Sequence, residues 1–193
     1  MRKFKLSRET SETKITVEIN LDEYTNPEIE TNIKFFNHLL EQLAFHSLFG
    51  INIKAHSLDK DPHHLIEDVS IALGKAFNEA LGSKINIKRY GYNILPMDEA
   101  LILTSLDLCG RSCVSFDAKF SCENINDMPT EMIKHFMNSF ANNSMSTIHI
   151  KQLNGSNNHH IAEAIFKSFA QALGQASQII TNTNRTPSTK GVL

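Results

Sequence analysis

Two adjacent histidines followed three residues later by a glutamate occur twice in this chain, as His63, His64 and Glu67 in PHHLIED and as His159, His160 and Glu163 in NHHIAEA. The copies stand 96 residues apart in a chain of 193, so the sequence reads as a duplication of two similar halves. A further pair obeys nearly the same shift: His38 precedes His63 by 25 positions and His135 precedes His159 by 24. Each half therefore offers an upstream histidine, a histidine pair and a glutamate. The expected organisation is one domain of two pseudo-repeats, about 1–90 and 91–185, followed by a polar tail, 186–193.

Helical geometry explains why this spacing suits a metal ion. Residues four apart lie nearly above one another, so His63 and Glu67 can reach one point, as can His159 and Glu163. Neighbouring helical residues diverge by roughly 100°, so His64 and His160 should face a different ion or a neighbouring subunit. Dividing eight ligands by the pseudo-symmetry gives two centres of three imidazoles and one carboxylate, each with room for water or substrate. Ligation rich in nitrogen and free of thiolate permits Mn, Fe, Co, Ni or Zn. A lone histidine at a helix start is more often a cap or a surface residue, which covers His46, His56 and His149. Chance rarely duplicates a whole ligand pattern.

The segments around these residues alternate between strand and helix. Ile15, Val17 and Ile19 put one face of a strand at 14–20, and Phe35, Phe36, Leu39, Leu40 and Leu43 mark a helix over 35–45. Ile51 and Ile53 suggest a strand, and helical spacing of apolar residues runs over 63–81 until Gly82. Strands are expected at 92–96, 100–108 and 113–120, then a helix at 131–141, a strand at 147–153 and a helix at 158–179. This order indicates an α/β (α+β) sandwich in which each half is a small mixed β-sheet packed against helices. A formal net charge of −2 argues against a nucleic-acid surface and for a small partner. Three cysteines without a CxxC pair and no apolar leader point to a reducing, cytoplasmic setting, and no apolar run is long enough to span a membrane.

Several ordered motifs carry a family resemblance: FFNHLLEQLAFH at 35–46, HHLIEDVSIALG at 63–74, RYG at 89–91, PMDEAL at 96–101, DLCGR at 107–111, NHHIAEAIFK at 158–167 and PSTKGVL at 187–193. Together they resemble imidazoleglycerol-phosphate dehydratase of histidine biosynthesis. The resemblance implies a duplicated α/β fold, two Mn2+ ions per subunit and a 24-subunit octahedral cage of trimers with active sites between subunits. It implies metal ligation by His38, His63, His64, Glu67, His135, His159, His160 and Glu163. It also places substrate against Glu12, His46, Arg89, Arg111 and Lys167, against the terminal Ser188, Thr189 and Lys190, and against the ligands His38, His63, His64, Glu67 and His159. Forked arginine donors, lysine and hydroxyls suit a phosphate ester. The chain departs from the family pattern at Asn37, where aspartate is usual, and at Ser47 and Ser70, where glycine is common. Asn37 brings no negative charge to the ligand beside it, which bears on metal affinity.

The implied reaction removes water from imidazole glycerol phosphate to give imidazole acetol phosphate. The C–H beside the ring is hardly acidic, so its loss needs a metal-bound imidazolate and a diazafulvene-like intermediate. Glu163 or Glu67 would take the proton, or a metal-bound water would relay it, and Glu12 or the second ion would assist the departing hydroxyl. Other classes use the same ligands: a di-metal phosphate-ester hydrolase, a non-catalytic metal-binding cage, or an inactive relative.

Overall fold

Alternation in the opening strands sets the first sheet. In the computed structural model, which describes residues 1–180 and 184–193, β1 (Lys3–Glu9) and β2 (Thr13–Asn20) form an antiparallel hairpin. Ile15, Val17 and Ile19 point into the core while Lys14 and Glu18 face outward, where they pair with Glu9 and Lys5 of β1. β3 (Glu28–Glu30), α1 (Lys34–Ser47), β4 (Gly50–Ser57) and α2 (Pro62–Leu81) complete the half, with sheet order β1-β2-β4-β3.

The second half repeats this plan. It contains β5 (Tyr90–Met97), β6 (Ala100–Asp107), β7 (Cys113–Asp117), α3 (Glu131–Ser144), β10 (Thr147–Asn154) and α4 (Asn158–Ser177), with sheet order β5-β6-β10-β7. In both sheets the last strand joins its neighbour in parallel, and the other pairings are antiparallel. A two-stranded ribbon, β8 (Asn124–Ile125) with β9 (Met128–Pro129), occurs only in the second half. It accounts for the shift between halves, which is 87 residues at β2 and β6 but 97 at α1 and α3.

The helices exchange partners between halves. α2 packs on β1, β2 and β4, α4 packs on β5 and β6, while α1 lies against α4 and α3 against α2. Gly174 lets α1 approach α4 closely, because a Cβ there would stand 2.6 Å from the Ser47 carbonyl oxygen. Phe36, Phe136, Phe140, Phe166 and Phe169 are fully buried and meet ring to ring across this layer, welding the halves into one core. Across the same boundary, both oxygens of Asp127 accept the backbone N–H groups of Lys34 and Phe35, capping α1 from the opposite half.

The expected strands and helices are present with shifted ends. The third strand of the second half ends at Asp117 rather than 120, and the last helix at Ser177 rather than 179. β1 and β3 lie outside the expected strands: β1 is a half-buried edge strand and β3 has three residues, too few for a period. The start of the polar tail, 181–183, lies outside the described residues. Among the described residues, no helix is long and apolar enough to cross a membrane.

Candidate active site

Capping fixes where the paired histidines stand. The Asp61 side chain accepts the His63 N–H at the start of α2, with Pro62 in the first turn. Asn157 does the same for His159 and His160 at the start of α4. Each histidine pair therefore occupies the first helical turn with the glutamate one turn on.

Because α1 lies on α4 and α3 on α2, each upstream histidine joins the pair from the other half. His38, His159 and Glu163 converge, as do His63, Glu67 and His135, every trio holding its donor atoms within 4.8 Å of one another. One Glu163 oxygen stands 3.2 Å from His38 Nε2 and 3.1 Å from His159 Nε2. Glu67 stands 3.3 Å from His135 Nε2, a buried nitrogen that makes no hydrogen bond among the described residues, and the His63 and His135 rings lie 4.7 Å apart. The expected centres of three imidazoles thus have two within one chain, drawn from both halves. Helix packing, absent from any single-helix argument, decides the pairing.

The second histidine of each pair turns away, as the angle between neighbours requires. His64 Nδ1 meets Asp59 at 2.6 Å and His160 Nδ1 meets Glu99 at 2.7 Å. These contacts raise the pKa of both imidazoles. Asp59 is drawn down to about 2 by the Asp61 N–H and then His64, and Glu99 to about 2 by His160 and then the Asn157 N–H.

Lys167 distinguishes the two trios. Its ammonium lies 2.6 Å from the second Glu163 oxygen. Burial alone would raise the Glu163 pKa, but Lys167 and then His38 outweigh it and hold the carboxyl below its ordinary value. His46, half-buried nearby, is lowered by burial and then by the Lys167 charge.

The other expected substrate residues are dispersed. Glu12 stands 3.9 Å from His64. The Arg89 guanidinium is held by both Asp107 oxygens at 2.7 and 3.1 Å, donates to the Pro187 carbonyl and shares a cleft of about 460 Å3 with Ser188 and Thr189. Arg111 and Lys190 are exposed and do not line that cleft. His46 lines a different cavity of about 550 Å3 with Arg2 and Gln175.

A family model described as imidazoleglycerol-phosphate dehydratase matches residues 31–173. Bacterial enzymes of that name are similar throughout: the one from Acetivibrio thermocellus is 47% identical over 193 residues, covering 100% of this chain and 99% of its own length. That from Lactococcus lactis subsp. cremoris is 48% identical over 199 residues, with 100% and 98% covered. The chain belongs to the imidazoleglycerol-phosphate dehydratase family. Membership makes it an enzyme of the hydro-lyase class. Two solved imidazoleglycerol-phosphate dehydratases share its fold. The Staphylococcus aureus structure has a TM-score of 0.84 at 34% identity, covering 92% of this chain and 99% of that one. The Pyrococcus furiosus structure, in complex with (S)-C348, has a TM-score of 0.84 at 38% identity, covering 97% and 100%.

Departures from the family pattern have local explanations. The Asn37 amide oxygen accepts the Thr31 N–H and hydroxyl at 3.0 and 2.5 Å, so it ties down the approach to α1 rather than serving His38. Ser47 Oγ donates to the Ala44 carbonyl and accepts the Phe49 N–H, closing the end of α1. Sequence reading missed Asp59 and Glu99. Glu99 had a signal: like Glu12, it immediately precedes the second strand of its half, but under a shift of 87 rather than 96.

Proposed function

We propose that this chain converts D-erythro-imidazole-glycerol phosphate to imidazole acetol phosphate and water in histidine biosynthesis, using two divalent ions per subunit, manganese foremost. The observation that carries this is the duplicated trio of two imidazoles and one carboxylate with donors within 4.8 Å. The buried His135 nitrogen, which forms no hydrogen bond among the described residues, is a position that a cation shared with Glu67 would satisfy. The ions would be held by His38, His159 and Glu163, and by His63, Glu67 and His135, with His64 and His160 completing spheres beyond their own trios. When bound, such an ion acts as a Lewis acid toward a ring nitrogen.

The protein's residues handle the protons. Glu163, kept ionised by Lys167, is suited to take the hydrogen from the carbon beside the ring, and Glu67 is its counterpart in the other half. Glu12, half-exposed, is suited to return a proton to the departing hydroxyl, which leaves as water. The resulting enol becomes the ketone.

Geometry supports a site shared between copies. Arg89 N–H binds the Ala176 carbonyl at the C-terminal end of α4, whereas His159 opens that helix. At 1.5 Å per residue, those ends lie roughly 26 Å apart, much longer than a three-carbon phosphate carrying an imidazole. One substrate therefore needs the Arg89, Ser188 and Thr189 cleft of one copy and the imidazoles of another, as in a 24-subunit cage of trimers.

Dialysis against chelator, then sizing and turnover with and without Mn2+, tests the proposal. Loss of turnover and of the large assembly, both restored by Mn2+, is expected. Full turnover by metal-free protein would overturn it.

A further inference from the structure

Duplication places Glu12 and Glu99 at equivalent positions, each immediately before the second strand of its half. Their contacts differ. Glu99 Oε2 lies 2.7 Å from His160 Nδ1, and its Oε1 accepts the N–H groups of Asn157 at 2.7 Å and Ser156 at 3.2 Å. Glu12 stands 3.9 Å from His64 and makes no such strap. In the first half that task falls to Asp59, whose Oδ2 lies 2.6 Å from His64 Nδ1 while Oδ1 accepts the Asp61 N–H at 3.0 Å. Asp61 and Asn157 are the equivalent helix-capping residues.

One grip is thus built from two non-equivalent positions. A carboxylate holds the capping residue's N–H with one oxygen and Nδ1 of the second histidine with the other. The 96-residue shift that relates α2 to α4 takes Asp59 to Gly155, which has no side chain. Gly155 has φ +129, and a Cβ there would lie 3.0 Å from Ala100, so a carboxylate could not easily be installed at that position. Glu99 reaches the same place from the strand side.

We propose that Asp59 and Glu99 are positioning residues. Each fixes the Nδ1–H tautomer of its histidine and aims Nε2 outward at an ion, and the division of labour leaves Glu12 free for proton transfer. Around His160, another acidic neighbour is the exposed Asp98, 3.5 Å from Nε2, and around His64 they are Asp61 and Glu12, each 3.9 Å from Nδ1. None of these bridges a cap and an imidazole. The inference rests on the metal reading of the paired histidines given above.

Asp59→Asn and Glu99→Gln test it, because an amide oxygen can still accept the cap N–H while its NH2 facing Nδ1 drives the ring proton onto Nε2. Chelator-stripped protein is titrated with Mn2+ by electron paramagnetic resonance, and the thermal midpoint of the metal-free protein is recorded alongside. Each amide variant should weaken Mn2+ binding by roughly 10- to 100-fold with little change in the metal-free midpoint. Asp59→Glu and Glu99→Asp, which keep the carboxylate, should recover part of the affinity. Glu12→Gln should lose turnover yet keep Mn2+ affinity. Unaltered affinity in either amide variant, a lowered midpoint alone, or equal weakening by Glu12→Gln overturns the inference. If the unaltered protein binds no Mn2+ and shows no turnover, the functional reading itself falls, and this inference with it.

Discussion

The two trios are copies of one set of candidate ligands in unlike surroundings. Glu163 is nearly enclosed, its side chain 8% exposed, and is neutralised by Lys167 one turn on. Glu67 is 38% exposed, and the residue one turn on is the half-buried Ile71. Duplication preserves the angle at which ligands converge, because that follows from helix packing, while burial and charge diverge through single side chains. The α1/α4 trio carries its own cation; the α2/α3 trio relies on solvent.

Replacing the carboxylates should expose this difference most strongly. Glu163→Gln should cut turnover by roughly 100-fold or more. Even without metal it should lower stability by about 1–3 kcal/mol, since an ammonium and two imidazoles lose their acceptor in a largely enclosed place. Glu67→Gln should also cut turnover but change metal-free stability by under ~0.5 kcal/mol. Denaturant unfolding of chelated protein measures both, and equal losses of stability would erase the proposed contrast.

Lys167→Met should act through pH. Glu163 is depressed in the folded protein, so its stabilising ionisation is present above the unfolded value and is lost only as pH falls through the lowered one. Without Lys167, burial is opposed by the His38 and His159 imidazoles alone, and the carboxyl takes up its proton at higher pH. Mn2+ uptake by this trio should then fail at a higher pH than in the unaltered protein, while uptake by the Glu67 trio should keep its profile. Titration from about pH 8 down to about pH 5 would read this, and identical acid limbs would remove Lys167 from the account.

The candidate ligands of each histidine–glutamate pair were legible in the sequence because they are clustered within single helices. His63 and Glu67, or His159 and Glu163, need only helical geometry to meet. The upstream histidines His38 and His135 were legible from the repeat, but not which pair each one joins, since apolar periodicity shows which face of α1 is buried but not that α4 rather than α2 covers it. Asp59 reads as an ordinary loop acid, and Glu99 was hidden because the β8–β9 ribbon makes the repeat shift uneven. The strands facing the core were plain from alternation at Ile15, Val17 and Ile19, but edge strand β1 had only Phe4 and Leu6 to declare it. Asn37 shows the complementary hazard: its neighbour in sequence is a candidate ligand, yet its amide serves Thr31.

Ile71→Lys offers the smallest effect and the sharpest control, since it supplies the first half with the cation that the second half already has. Helical spacing carries an ammonium at 71 toward Glu67 as Lys167 reaches Glu163. Exposure decides the gain. Around a carboxylate open to water, a new ion pair should stabilise metal-free protein by under ~0.5 kcal/mol, and raised salt should abolish the gain. Denaturant midpoints at low and high salt would measure it. A salt-independent gain of more than about 1 kcal/mol would mean that Glu67 is effectively desolvated, and that sequence difference at position 71, rather than burial, separates the two trios.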